Sequence, residues 1–381
     1  MKLSRFCLCL ILAICAIFSS TMVAFAEPLD AIAPAKSLVV LEGNTNEVLY
    51  HFKKDMQLPI ASLTKIVTAI VAIENCEDIN TIVEISPKAV GIEGTSIYLK
   101  NGESLKFYDL LLGLILASGN DCAIALAEYI GGEGGQERFV EMMNEFILKL
   151  ELNNSHFDNP HGLDSKTHYS SAYDLACVTA YAMKNKTFRE IVATKYATIE
   201  GNEIYQTRYL KHKNKLLFSM DSCVGVKTGF TDNAGRCLVN TAEKDGLQVI
   251  TVILNCGPMF EEAKRLTNNA FSEYAMKEFV APYNFISNIN IVNGDKENIG
   301  VVTIGGFKKA VKKINFEKYI VEYDFPKEVK APIQLNQVIG KVTVKFEDEV
   351  IFQDNLYSID SANNIDLKYL IENILRKWVP N

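Results

Sequence analysis

The sequence lacks the features typical of nucleic-acid binders, zinc hydrolases and phosphate-loop proteins. Asp and Glu outnumber Lys and Arg by 46 to 39 among 381 residues, giving a formal net charge of −7, whereas nucleic-acid binders usually carry a basic face. The five histidines form no His-Glu-x-x-His pattern, the helical zinc-binding spacing. The glycine cluster at residues 131–135 lacks a Gly-Lys-Ser/Thr ending and is interpreted as a turn. No internal repeat or low-complexity segment is present.

Cysteines are few and widely separated. Of the nine in the chain, three lie within the first 26 residues. The other six are Cys76, Cys122, Cys177, Cys223, Cys237 and Cys256. Disulfide frameworks are typical of small secreted domains, so we expect free buried cysteines that pack as small apolar side chains. One incidental disulfide is the alternative.

The N-terminus predicts export. Lys2 and Arg5 precede an apolar run from Phe6 to Phe18. Ala24-Phe25-Ala26 fits the cleavage rule, so residues 1–26 are predicted to be a secretory signal peptide. An uncleaved membrane anchor is the alternative, although the run is shorter than the roughly 20 residues that cross a bilayer. The mature protein is therefore expected outside the cytoplasmic membrane.

The pattern of apolar residues predicts an α/β (α+β) fold followed by a small β domain. Strand patterns cover residues 37–41, 47–51, 224–230, 236–241 and 247–254, and helical patterns follow Pro59 and cover residues 109–129, 136–150, 171–183 and 261–274. We therefore expect one sheet assembled from distant segments, with helices packed against it. Short strands with turns follow Pro282 and predict a β-sandwich-like domain. The predicted domains are residues 27–276, 277–362 and a tail at 363–381.

The tail has the spacing of an amphipathic helix. Its apolar residues fall on one helical face and are Leu367, Leu370, Ile371, Ile374, Leu375 and Trp378. Such a helix either docks on the β domain or lies in a membrane interface, with Trp378 at the level of the headgroups.

Ser62 and Lys65 stand out in the stretch LPIASLTKIVTAIVAI, where Lys65 is the only charged residue. Residues three apart on a helix share a face and can touch. Burial penalises the charged form of a lysine, so Lys65 can act as the base that a serine nucleophile requires. A lysine that reaches solvent beside an unrelated serine is the alternative.

Two further stretches carry polar residues within apolar surroundings. ILASGNDCAIALA places Ser118, Gly119 and Asn120 in a polar break that can present a hydroxyl and an amide to a cleft. VGVKTGFTDNAGRCLV places Lys227, Thr228 and Gly229 on a predicted strand. Glycine allows a substrate backbone to approach a strand closely, and the lysine and threonine can bind a carboxylate.

In this order, the three motifs resemble the S-x-x-K, S-x-N and K-T-G set of penicillin-binding proteins and serine β-lactamases. The chain is most similar to low-molecular-mass D-alanyl-D-alanine carboxypeptidases, from about Ala35 to Tyr274 and more loosely over the β domain that follows. The stretches that carry this resemblance are ASLTKIVTA, LLLGLILASGNDCAIALAE, FDNPHGLD, HYSSAYDLA and VGVKTGFTDNAGRCLV.

The resemblance implies a penicillin-binding-protein-like fold and a role for each motif residue. Ser62 would be the acylated nucleophile and Lys65 its base, while Ser118 would relay protons and Asn120 would hold the substrate amide. The implied substrate-binding residues are Lys227, Thr228, Gly229 and Phe230, a position where some relatives carry histidine. The backbone N–H groups of Ser62 and Phe230 would form the oxyanion hole.

The implied reaction removes the terminal D-alanine from peptidoglycan stem peptides through an acyl-enzyme. It needs no metal or other cofactor, and β-lactams would form a slowly released adduct on the same serine. The resemblance also favours the membrane-anchor interpretation of the tail, which would place the enzyme at the outer face of the cytoplasmic membrane or in the cell wall.

Three alternatives stay open from the sequence. A β-lactamase requires a second base for deacylation, and no glutamate is evident in the loop NPHGLD. A non-catalytic β-lactam-binding or cell-wall module is disfavoured because every motif residue is present. A zinc site built from His156, His161 and His168 is disfavoured because their segment has a turn-like composition.

Overall fold

A computed structural model describes residues 34–202 and 205–378. The predicted signal peptide therefore lies outside the described residues. The chain divides into two compact units. The first comprises Met1–Ala242 and Gln248–Thr267, and the second comprises Glu243–Leu247 and Asn268–Asn381.

The first unit alternates strands and helices in sequence. Its strands are β1 Ala35–Glu42, β2 Val48–Phe52, β3 Ile82–Glu84, β4 Ser104–Lys106, β5 Tyr196–Ile199, β6 Arg208–Lys211, β7 Cys223–Thr231, β8 Gly235–Lys244 and β9 Leu247–Cys256. Its helices are α1 Thr64–Glu74, α2 Phe107–Leu112, α3 Asn120–Gly131, α4 Gly135–Lys149, α5 Ala172–Ala182, α6 Lys186–Ala193 and α7 Leu216–Ser219, and α8 Met259–Glu273 continues into the second unit.

The central sheet of the first unit joins strands from both ends of its sequence, as predicted. Its order is β2-β1-β9-β8-β7, and the pairs β1–β2, β1–β9 and β7–β8 are antiparallel. Strand β7 is at the edge, so one row of its backbone N–H and C=O groups is left outside the sheet ladder. The K-T-G residues lie on this edge strand.

Helix α1 forms the centre of the helical layer. Ten consecutive residues, from Thr64 to Ile73, are buried, which is typical of a helix with apolar residues on all sides. Its surroundings include apolar side chains from α2, α3, α5 and α6 in one continuous core. Lys65 is fully buried within this core.

The second unit is built mainly from β-strands. They are β10 Tyr274–Val280, β11 Phe285–Val292, β12 Asn298–Thr303, β13 Phe307–Lys312, β14 Tyr319–Asp324, β15 Glu328–Lys330, β16 Val338–Phe346 and β17 Glu349–Ser358. Six of them form a sheet in the order β14-β16-β17-β12-β11-β15, and β10 pairs with β13. An apolar cluster that includes Val301, Val342, Val344 and Leu356 fills this unit.

The tail forms helix α9, Leu367–Trp378. Five apolar side chains on it are between 48% and 74% exposed, namely Leu367, Leu370, Ile371, Ile374 and Leu375. Within residues 34–202 and 205–378, no helix combines the length and the apolar character needed to span a membrane.

Two local expectations are corrected by the structure. Residues 109–129 do not form one helix, because α2 passes into a π-helix at Gly113–Ala117 and α3 starts only at Asn120. Cys76 is only partly buried, whereas the other five cysteines of the described chain are buried, and all six are unpaired. The 109–129 segment is mostly apolar on both sides of its polar break at residues 118–120, so the apolar periodicity could not reveal the change in helical winding.

Candidate active site

Ser62 lies on a tight turn at the start of the central helix. A 3₁₀ helix at Ala61–Leu63 leads directly into α1, and Ala61 has a φ of +50°. The Thr64 hydroxyl donates to the Ala61 carbonyl across 2.9 Å. A Cβ on Gly229 would lie 3.2 Å from the Ser62 nitrogen, so β7 passes close to the serine because glycine stands there.

Lys65 is held by three polar contacts in a site without solvent exposure. Its Nζ lies 2.9 Å from Ser62 Oγ, 2.7 Å from Asn120 Oδ1 and 2.6 Å from the His161 carbonyl. Burial, followed by the nearby charge of Lys213, lowers the Lys65 pKa to about 7. A neutral amine donates two N–H groups and accepts one, so this arrangement leaves the lone pair for the Ser62 hydroxyl.

The break between α2 and α3 places Ser118 and Asn120. Ser118 is in the left-handed region with φ 66° and ψ 33°, directly after the π-helix, a feature frequent at functional sites. The Asn120 side chain is oriented by donation from Nδ2 to the Glu93 carbonyl across 2.6 Å. Its oxygen is thereby directed to Lys65.

Lys227 occupies a second buried position, on β7. It is fully buried, and its Nζ donates to Ser118 Oγ and to the Thr228 carbonyl, each across 2.9 Å. Burial is the main cause that lowers the Lys227 pKa well below its usual value, with further contributions from Lys65 and Lys213. Two lysine–serine pairs therefore face each other across the site.

A cleft of about 400 Å³ opens at these pairs. It is lined by Ser62, Thr95, Ser118, Lys213, Thr228, Gly229, Phe230, Arg236, Met259 and Phe260. Five of the eight residues predicted from sequence line the cleft, and Lys65, Asn120 and Lys227 lie behind it, hydrogen-bonded to one another or to the lining serines. The structure thus brings all eight predicted site residues together.

Sequence reasoning missed the His161 carbonyl, Lys213 and Arg236. A backbone carbonyl has no residue-type signal, so its contact with Lys65 could be found only from the folded loop. Lys213 follows the unpredicted strand β6. Arg236 had a usable signal, because hairpin pairing of the two predicted strands places it opposite Phe230.

His168 takes part in hydrogen bonds that connect its loop to helix α1. The Asp158 N–H donates to His168 Nδ1 across 3.1 Å, and His168 Nε2 lies 2.8 Å from Thr64 Oγ1. Burial lowers the His168 pKa to about 4, so the neutral ring donates from Nε2 to Thr64. Among the described residues, no group of three or more His, Cys, Asp or Glu side chains is placed to hold a metal ion.

Comparison with known proteins extends these observations to the whole chain. A family model described as D-alanyl-D-alanine carboxypeptidase matches residues 23–257. The chain belongs to the D-alanyl-D-alanine carboxypeptidase family. A second model, the C-terminal domain of penicillin-binding protein 5, matches residues 274–363.

Named relatives of this carboxypeptidase family match over most of their length. The D-alanyl-D-alanine carboxypeptidase DacD of Salmonella typhimurium is 32% identical over 361 residues, covering 89% of each chain. The DacF carboxypeptidase of Bacillus subtilis is 28% identical over 352 residues, covering 90% of each. Penicillin-binding protein 5 of Haemophilus influenzae has a similar structure, with a TM-score of 0.71 and 27% identity, covering 88% of this chain and 99% of that one.

Family membership confirms several predictions from the sequence. The chain has the penicillin-binding-protein fold, and its β-rich second unit matches the C-terminal domain of penicillin-binding protein 5. It is a serine hydrolase of the D-alanyl-D-alanine carboxypeptidase type. Neither the β-lactamase nor the non-catalytic module is favoured by these matches.

Proposed function

We propose that Ser62 is the nucleophile of this carboxypeptidase and Lys65 its general base. The observation that carries the proposal is the 2.9 Å distance between the fully buried Lys65 Nζ and the Oγ of Ser62, which lines the cleft. With a pKa of about 7, Lys65 has a large neutral fraction at neutral pH. A base with its pKa near the working pH is the most effective for proton transfer.

The substrate is a peptidoglycan stem peptide that ends in D-Ala-D-Ala. Ser62 Oγ attacks the carbonyl carbon between the two D-alanines, and its proton moves to Lys65 Nζ. The C–N bond then breaks, the leaving amine takes up a proton, and free D-alanine departs. Water attacks the resulting ester, which releases the shortened peptide and restores the Ser62 hydroxyl.

Ser118 and Lys227 supply a second route for the proton. Ser118 lines the same cleft as Ser62, and its hydroxyl accepts from Lys227 Nζ across 2.9 Å. Lys227, whose neutral form is favoured by burial, can hold the Ser118 hydroxyl ready to donate to the leaving amine. Asn120 positions Lys65 through its oxygen and provides an amide for the peptide backbone.

The free edge of β7 binds the peptide in an extended form. Thr228, Gly229 and Phe230 line the cleft along this edge, and strand addition is a general mode of peptide recognition. The backbone N–H groups of Ser62 and Phe230 form the oxyanion hole. The close approach of Gly229 to the Ser62 nitrogen supports this pairing.

β-Lactams acylate the same serine, since their strained amide is attacked as the peptide carbonyl is. The test is intact-protein mass spectrometry after exposure to benzylpenicillin, followed by digestion to locate the adduct. Ser62→Ala abolishes both the adduct and D-alanine release, whereas the exposed Ser272→Ala retains both. Lys65→Arg also fails to acylate, because a guanidinium stays protonated. An adduct that persists in Ser62→Ala would refute the assignment.

We also propose that the protein is exported and held at the membrane surface. Residues 1–26 would be removed as a signal peptide, leaving a peptidase domain at 27–276, a β domain at 277–362 and the tail at 363–381. The exposed apolar side chains of α9 support an interfacial tail. The enzyme would then act at the outer face of the cytoplasmic membrane or in the adjacent cell wall.

A further inference from the structure

The K-T-G lysine is poorly placed to bind a substrate carboxylate. Lys227 has no exposed surface, and its Nζ already donates to Ser118 Oγ and to the Thr228 carbonyl. Both contacts engage the amine inside the protein, away from the cleft surface. Burial disfavours the charged form that would attract an anion. The carboxylate of a C-terminal D-alanine therefore needs another cation.

Two cations that sequence reasoning did not assign line the cleft itself, Lys213 and Arg236. The ten lining residues include no Asp or Glu. Arg236 is exposed, and its one side-chain hydrogen bond among the described residues is a 3.4 Å contact from Nη1 to the Gly257 carbonyl. Lys213 reaches Thr95 Oγ1 across 3.4 Å. Both cations are thus available to an anion bound in the cleft.

The register of the β7–β8 hairpin directs Arg236 to the substrate edge. Phe230 pairs with Arg236, and Thr228 pairs with Leu238. Directly paired residues and residues two apart on a strand share one face of a sheet. Arg236 is therefore on the same face as Thr228 and Phe230, and diagonal neighbours about 7–8 Å apart are within reach of a long side chain.

We propose that Arg236, assisted by Lys213, binds the terminal carboxylate of the substrate. This contact makes Arg236 a specificity-determining residue for release of a C-terminal D-alanine. This inference rests on acyl transfer at Ser62. The carboxylate is one residue beyond the scissile carbonyl, a separation of about 3.8 Å between Cα atoms, so it stays within the same cleft. A guanidinium matches a carboxylate with two parallel N–H···O bonds.

The test compares substrates with and without the carboxylate. Values of kcat/KM are measured for a peptide ending in D-Ala-D-Ala and for its C-terminal amide, and acylation rates for benzylpenicillin and its methyl ester. Arg236→Gln lowers the values for the carboxylate forms by roughly 10- to 100-fold, as expected for a lost bond to a charged group. The amide and the ester are almost unaffected.

Matched variants separate binding from general charge effects. Arg236→Lys recovers part of the preference, because it keeps the charge without the planar guanidinium, and Lys213→Met gives a smaller loss of the same kind. The exposed Arg138→Gln, outside the cleft, leaves the carboxylate-to-amide and acid-to-ester ratios unchanged. Thermal unfolding of each variant shows that the fold is retained.

The outcomes are distinct. A wild-type protein that forms no penicillin adduct on Ser62 refutes the proposed function itself. A wild type that acylates normally, with both ratios unchanged in Arg236→Gln, overturns only the assignment of Arg236. An equal loss on the carboxylate and neutral forms also overturns it, since that pattern shows a general defect of the cleft.

Discussion

At the scale of single residues, the site depends on lysines that are buried without an acidic partner. Lys65 and Lys227 have no exposed surface, and their bonded neighbours are hydroxyl, amide and backbone oxygens. Because an uncompensated ammonium is costly in such surroundings, burial favours the neutral amine. A charged lysine at this position would destabilise the fold. The same burial therefore keeps Lys65 largely neutral near pH 7, where it can act as a base.

The pH dependence of acylation follows from this. Lys65 acts as a base only when neutral, and its lowered pKa is about 7. We expect the acylation rate constant to fall about tenfold per unit of pH well below 7 and to level off above it. Stopped-flow acylation by a chromogenic cephalosporin measures this profile.

Because Lys213 is a nearby positive charge that lowers the Lys65 pKa, Lys213→Met moves the profile to higher pH, whereas Lys211→Met does not. A flat profile between pH 5 and 8 would contradict Lys65 as the base.

The residues predicted from sequence were those whose side-chain chemistry is unusual for their surroundings. A lone lysine in an apolar helix and a polar break in an apolar run can be recognised in the amino-acid sequence. Lys65, Ser118 and Asn120 are therefore predicted from it. Arg236 and Lys213, in contrast, look in the sequence like ordinary charged surface residues. Arg236 could have been assigned from the register of the two predicted strands, which pairs it with Phe230, whereas Lys213 requires the course of β6, which only the folded chain supplies.

At the scale of elements, the loop NPHGLD is the part of the site that sequence reasoning could place least well. Its His161 carbonyl accepts from Lys65 across 2.6 Å, and the Pro160 carbonyl accepts from Thr68 Oγ1 across 2.5 Å. Asp164 accepts from Thr231 and Asn233 across 2.9 and 3.1 Å. The loop thus connects α1 with the turn that follows β7. Backbone contacts of this kind carry no residue-type signal, whereas the apolar periodicity of the strands did predict the central sheet.

Gly162 tests whether this loop holds the nucleophile turn. It has a φ of +89°, and a Cβ there would overlap the Ala61 carbonyl and lie 2.8 Å from Thr64 Oγ1. We expect Gly162→Ala to destabilise the protein by more than the roughly 1–2 kcal/mol of left-handed backbone strain and to slow Ser62 acylation. Denaturant unfolding and penicillin acylation rates measure the two effects.

Gly102→Ala is the matched control for that substitution. Gly102 has a similar φ of +75° but no atom within 4 Å of its added Cβ, so it reports the backbone strain alone. We expect a smaller loss of stability and normal acylation. Equal losses of stability in the two variants, together with normal acylation in Gly162→Ala, would show that the loop does not position Ser62.

At the scale of the whole molecule, the chain joins a catalytic unit to a β-rich unit and a tail. The family matches cover residues 23–257 and 274–363 and end before helix α9 begins. The sequence predicted a separate β domain from the strand and turn pattern alone, because each short strand carries its own apolar alternation. It could not give the strand order β14-β16-β17-β12-β11-β15, which depends on pairings between segments that are distant in sequence.

The tail yields a prediction for the full-length mature protein. Residues 363–381 contain two acidic and three basic side chains, so charge contributes little to attraction by a lipid surface. The large exposed apolar side chains of α9 instead contribute up to about 1.5–3 kcal/mol each when fully buried. Partial burial at an interface recovers only part of this. We therefore expect reversible binding to liposomes that resists moderate salt and disappears on truncation after Ser361.

Liposome co-sedimentation with D-alanine release assayed on each fraction measures this binding. Leu370→Gln combined with Ile374→Gln should release the protein into the supernatant, because it removes apolar area from one helical face. Ile314→Gln combined with Leu335→Gln is the matched control, since those side chains are also exposed, at 88% and 59%, but lie outside the tail. The truncated protein keeps its carboxypeptidase activity in solution, because the residues around Ser62 all belong to the first unit. If full-length and truncated proteins stay equally in the supernatant, the tail is a structural helix and the membrane-surface location is wrong.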